Sequence, residues 1–192
     1  MPVLWIVLIV LALGAVGYVI GRRRALGSAG GDARKLHSLP TYYGWSAVLS
    51  TVVPALLVLA AWLLVAPIVI ENRVSATIPD SAIAEGSSRG LLMAEVRRVA
   101  DGLTAAVEAG LMTEETARNA RADFTDMTAR LQEAGQLVTQ QVTVQVLRAA
   151  QLYRASAASA ATWMTVVVLA LGVAGFGISL LRTNAAFRAR NV

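Results

Sequence analysis

The side chains that could do chemistry in this sequence are mostly arginines and carboxylates. Arg97 and Arg98 are adjacent, and Arg118 and Arg121 lie one helical turn apart. Paired guanidinium groups bind phosphate through two parallel hydrogen bonds. Glu95, Asp101, Glu114 and Asp123 lie close by in sequence, however, so these arginines read first as solvated helix faces with local ion pairs. Asp123, Asp126 and Glu133 have the spacing of one helix face and could be imagined as metal ligands. No histidine supports them, and acids on exposed helices are ordinary. The lone histidine, His37, sits beside Ser38 with no carboxylate or second ligand near it. The chain has no cysteine, which excludes a disulfide framework, a thiolate metal site and a cysteine nucleophile. The glycines of Gly27–Gly31 lack the lysine and hydroxyl residue of a phosphate loop and read as a flexible loop. No nucleophile, metal set or acid–base pair stands out. The expectation is therefore a non-enzyme with no metal, no cofactor and no catalytic residue.

The elements that would position these residues follow from composition. The chain has 192 residues, 56% of them hydrophobic and 15% charged, where soluble domains carry about a quarter charged residues. Three stretches hold no charged side chain: Val3 to Ile20, Trp45 to Ile70 and Ala157 to Leu181. About 20 helical residues cross a hydrocarbon core of about 30 Å, so each is long enough to span. In the first stretch the positive charge follows the apolar run, at Arg22, Arg23 and Arg24. A cleaved signal has the opposite order, so this is a retained helix.

Orientation is read from the flanking cations. Arg22, Arg23, Arg24, Arg34 and Lys35 face only Asp32 between spans one and two, and Arg182, Arg188 and Arg190 follow span three. The segment between spans two and three carries nine Arg and eleven Asp plus Glu. The basic segments belong inside and the balanced one outside. The arginines 22–24 could also meet anionic lipid heads. Net charge is +5, but its placement reads as topology and not as a nucleic-acid footprint. Trp5 and Trp163 are expected at the outer interface, and Tyr18, Tyr42, Tyr43 and Trp45 at the inner one. Pro54 and Pro67 predict a packed kink in span two, with a hinge as the functional alternative, and Ser50 and Thr51 are placed before Pro54 to re-satisfy freed backbone groups. Gly17 with Gly21, and Gly175 with Ser179, are small-xxx-small pairs that permit close helix contact.

The expected organisation is thus an all-α membrane protein. Residues 1–21 form span one with its N-terminus outside, 22–44 a cytoplasmic loop, and 45–70 span two. Residues 71–156 form a periplasmic helical hairpin, 157–181 span three, and 182–192 a cytoplasmic tail. Within the hairpin, Pro79, Gly86, Ser87, Ser88 and Gly90 read as a linker and helix start. Leu92, Val96, Val99, Leu103 and Ala106 then form a seam with alternating steps of 4 and 3, as in a heptad. Gly110 stops that helix, and Thr113 with Glu114 and Glu115 starts another. A second seam runs through Ala117, Ala120, Phe124, Met127, Leu131, Ala134 and Val138, and this helix is expected to run on into span three, with Gly135 as a weak point. Two helices alone bury little, so a dimer mate or another membrane subunit is expected to cover the hairpin.

The run from Ser28 to Gly44, above all Leu36-His-Ser-Leu-Pro-Thr-Tyr-Tyr-Gly44, resembles the N-terminal extension of the permease subunit of bacterial phosphate ABC transporters, the PstC type in its long alphaproteobacterial form. The opening helix that ends in Gly21-Arg-Arg-Arg24 fits, as does the plan of two spans, an outer insert and a return span. The resemblance covers essentially the whole chain. It implies an inner-membrane protein that forms or flanks an ATP-driven phosphate translocation unit. The implied partners are membrane lipid, a second permease subunit, a cytoplasmic ATPase subunit and a periplasmic phosphate-binding protein. The family's permease core follows this region, so the ending at Phe187–Val192 is expected to be a truncation, and no substrate-binding residue is carried over. Two other classes share this plan: a sensory input module, suited by a helix unbroken from Thr113 through span three, and a three-span accessory subunit.

Overall fold

The computed structural model describes residues 2–83, 87–119 and 143–183, and the described residues are helical with no strand. Among the described residues five α-helices follow in order: α1 Val3–Ser28, α2 Pro40–Ala76, α3 Arg89–Glu108, α4 Glu114–Asn119 and α5 Val144–Arg182. Helices α1, α2 and α5 are long and apolar enough to cross a membrane. The chain divides into two units, Met1–Leu64 with Ala161–Val192, and Val65–Ala160.

The first, spanning unit is built from the apolar parts of α1, α2 and α5. Ile6, Val10, Ala55, Leu59, Met164 and Val168 form its largest buried cluster. The glycine pair in α1 marks a close approach: Gly17 lies against Ala47 and Phe176, and Gly21 against Ala47 and the Tyr43 carbonyl. Gly14 joins them one turn earlier, against Val52. Small side chains let helix backbones meet where lipid gives no hydrophobic drive between helices. Thr51 is fully buried and its Oγ1 donates to the Ala47 carbonyl at 2.7 Å. Helix α2 passes through Pro54 and Pro67 without a break.

Two expectations change here. Helix α1 does not end at its arginines but continues to Ser28. Arginine is a good helix former, and the stop comes where Gly30 and Gly31 take φ of 66° and 83°. The Gly31 amide donates to the Leu26 carbonyl and the Gly30 amide to that of Gly27, closing a Schellman cap. The loop expected over 22–44 thus shrinks, with a 3-10 turn at Ala33–Lys35 before α2 starts at Pro40. Tyr43 does not face outward either. It is fully buried, packed with Ala25 and Leu36. Tyr42 and Trp45 are exposed, and Trp45 meets Tyr18 edge to face at 5.8 Å.

The second unit is built by the end of α2, by α3 and α4, and by the start of α5. The Ser88 side chain caps α3 by accepting from the Leu91 amide at 3.2 Å. Gly110, with φ of 73°, ends it in another Schellman cap. Thr113 Oγ1 accepts from the Thr116 amide and starts α4. The α3 seam is buried at Val96, Val99, Leu103 and Ala106, together with Met93 and Ala100.

Part of what covers that seam comes from helices the sequence reading had not paired with it. Val74 and Ile78 from α2 and its end, and Val146, Leu147, Ala149 and Ala150 from α5, share one core with it. Much of the seam's cover thus comes from the chain itself. A correction concerns α5. It begins at Val144, where Thr143 Oγ1 accepts from the Val146 amide. The helix of span three is therefore not an unbroken continuation from Thr113. The expected second seam beyond Ala117, from Ala120 to Val138 with Gly135, lies outside the described residues.

Candidate functional site

The second unit holds a cavity of about 470 Å³ lined by Thr104, Glu114, Arg118, Gln151 and Arg154 above a floor of alanines. Three helices place these groups. Thr104 comes from the outer edge of the α3 seam, and its hydroxyl is itself tied to the Ala100 carbonyl. Glu114 stands in the first turn of α4, set there by the Thr113 cap, where a carboxylate suits the exposed amides of a helix start. Arg154 reaches in from α5, from a run of small residues that leaves room for its length.

Arg154 is the centre of the arrangement. Its Nε donates to Thr104 Oγ1 at 3.0 Å. Its Nη1 and Nη2 donate to Glu114 Oε1 and Oε2 at 3.1 and 2.6 Å. This is the fork-to-fork geometry that makes an arginine–carboxylate pair strong and directional. Arg118 adds a looser contact to Glu114 at 3.9 Å, and Gln151 Nε2 donates to the Ala117 carbonyl at 3.1 Å. The effect is a polar clasp joining α3, α4 and α5 around the cavity. Its chemistry is charge pairing: two guanidinium groups share one carboxylate and leave a net positive site.

A variant measures the clasp. Arg154→Leu removes the fork and the bond to Thr104 while keeping much of the apolar stem. Glu114 is half exposed, so it returns to water and no buried charge is stranded. The expected loss is about 1–2 kcal/mol: hydrogen bonds to charged groups contribute about 1.5–3 kcal/mol, and the exposure of Glu114 lowers that. Thermal melting of the purified chain in detergent reads it, and Arg118→Leu, at an exposed and longer contact, should shift the midpoint far less.

A second guanidinium closes the end of α2. Arg89 Nη1 donates to the Ser75 carbonyl at 2.7 Å and to the Ile78 carbonyl at 3.2 Å, and Nη2 pairs with Asp80. The last carbonyls of a helix have no intrahelical donor, and a cation there also suits the helix dipole.

The residues singled out from sequence are dispersed. Arg97 pairs with Glu71 on α2 at 3.5 Å, a partner distant in sequence and not a local one. Arg98 and His37 are exposed. Arg118 joins the clasp through the local pair to Glu114 that its spacing predicts. Arg121, Asp123, Asp126 and Glu133 lie outside the described residues. Among the described residues no three His, Cys, Asp or Glu gather as metal ligands. Sequence reasoning missed Arg154 and Arg89. One signal was available for Arg154: it is the only charge between Arg148 and Arg182, and a lone arginine in a run of alanines asks for a tertiary partner.

No curated protein and no solved structure matches the chain. A family model described as a phosphate ATP-binding cassette transporter matches residues 7–177. Those residues take in the three apolar helices almost entire and every described group of the clasp, so the chain belongs to the phosphate ATP-binding cassette transporter family.

Proposed function

We propose that this chain is the N-terminal membrane region of the permease of a phosphate ABC importer, flanking the pathway through which ATP hydrolysis on a partner subunit drives phosphate. One observation carries the reading: the family match runs through both the apolar helices and the inserted unit, so the insert belongs with the transporter and is not a graft from elsewhere. Three apolar helices and a transporter family mark an inner-membrane protein. The cation distribution supports an N-terminus outside, the loop after α1 inside and the second unit in the periplasm. Under that topology the second unit faces the side from which a phosphate-binding protein delivers its cargo. Its contact surface would be polar, because its apolar seam is already filled within the chain. The proposed partners are a second permease subunit, an ATPase subunit and the binding protein.

The test is co-purification and uptake. A tagged protein carrying this region, drawn from native membranes in mild detergent, should bring an ATP-binding subunit with it. Deleting residues 88–150 should reduce phosphate uptake or docking of the binding protein. Purification without any ATPase subunit, together with unchanged uptake in the deletion, overturns the reading. Topology has its own assay: the chain has no cysteine, so single cysteines introduced at Ser28 and Ser87 should label from opposite sides of the membrane.

A further inference from the structure

One end of the spanning unit carries cations with almost no acid to balance them. Arg22, Arg23 and Arg24 are all exposed on the last turns of α1. Their helical neighbours Gly21 and Ala25 are buried, Gly21 against the Tyr43 carbonyl, so the three arginines occupy the outward arc. The Schellman cap at Gly30 and Gly31 turns the chain, and the following 3-10 turn exposes Arg34 and Lys35. Asp32 is the one acid of this loop, and its side chain is spent on capping that turn through the Arg34 amide at 3.0 Å. None of the ion pairs among the described residues involves these five cations.

The two basic stretches lie at the same end. Ala25, Leu36 and Tyr43 pack into one small cluster, so Arg24 and Lys35 each adjoin a member of it. Beside them Leu39, Tyr42 and Trp45 are exposed. Guanidinium forks recognise phosphate oxygens, and exposed tyrosine and tryptophan favour the boundary between headgroup and hydrocarbon. A free phosphate ion would have no use for Leu39, Tyr42 or Trp45. The arginines also begin where the apolar run of a spanning helix ends, which is headgroup depth.

We propose that this basic end of the spanning unit binds anionic phospholipid, with Arg22, Arg23, Arg24, Arg34 and Lys35 holding the headgroup phosphate. The site is separate from phosphate transport and stands whether or not that reading holds.

Native mass spectrometry of the purified chain in neutral detergent tests it, with phosphatidylglycerol and phosphatidylcholine titrated in parallel. Phosphatidylglycerol should be retained roughly tenfold better, the scale expected when several cations face an anionic headgroup. Replacing the five cations by Gln should abolish that preference, while Lys at positions 22–24 should keep most of it. The Arg34→Gln, Lys35→Gln pair, which leaves α1 untouched, should weaken it in part and serves if the full replacement does not fold. Equal retention of the two lipids overturns the proposal. So does an undiminished preference in the Gln variants, and so does displacement of phosphatidylglycerol by inorganic phosphate at equal concentration, which would mark a free-phosphate site.

Discussion

A single methyl group at position 175 should loosen the spanning unit, while the same methyl at position 177 should leave it intact. Built on Gly175, a Cβ would overlap the Ser50 carbonyl oxygen and lie 2.9 Å from its carbon and 3.2 Å from the Thr51 Cα. All three are backbone atoms, so no side chain can rotate away. The site is special because of Pro54, which has no amide to offer the carbonyl four residues earlier. Ser50 is that residue, and α5 brings its glycine against the freed oxygen. Alanine favours helix over glycine by up to about 1 kcal/mol, but overpacking a fitted contact costs about 1–3 kcal/mol. Gly175→Ala should therefore be destabilising on balance. At Gly177 no atom lies within 4 Å of the added Cβ, so Gly177→Ala should be neutral or slightly stabilising. Thermal melting of the two variants in the same detergent decides the matter. Coincident midpoints would show that α5 does not depend on this approach to α2.

This contact also identifies what meets the carbonyl that Pro54 leaves without its helical donor. The hydroxyl of Thr51 does return to the backbone, to Ala47, while the carbonyl of Ser50 is met by a neighbouring helix with no side chain in the way. The sequence held both halves, Pro54 and Gly175, but 121 positions apart, and periodicity carries no information at that distance.

The same division runs through the rest of the chain. Local features were legible. Ser88, Gly110 and Thr113 cap helices where their types and neighbours said they would, because a cap is decided within four residues. Thr143 was not legible, because it stands in the run Gln141-Val-Thr-Val144 with no glycine or proline to mark a boundary, and threonine is tolerated inside helices. The three spans were legible because the bilayer demands about 20 apolar residues in a row. The end of α1 was not, because charge was read as the end of the helix when it marks only the end of the apolar run. The clasp was illegible for the same reason as the Ser50 contact: Glu114 and Arg154 belong to different helices, and only tertiary structure pairs them.

The reach of α2 and α5 beyond their apolar runs has an energetic consequence. Helix α2 has 37 residues and α5 has 39, well over what a bilayer needs, and the surplus covers the α3 seam. Leu103 is fully buried in that core. Leu103→Ala should cost about 2–5 kcal/mol, the usual range for emptying such a site. A domain's whole stability is about 5–15 kcal/mol, so the second unit should lose much of its protection. Leu91, on the same helix but exposed, should tolerate alanine within about 0.5 kcal/mol. Hydrogen exchange across α3 in the chain purified alone reads both. If the chain fills its own seam, α3 is protected in the parent and in Leu91→Ala, and exchanges fast in Leu103→Ala. If α3 already exchanges fast in the parent, the seam needs a partner subunit after all, and Leu103→Ala would show its cost only once that subunit is added.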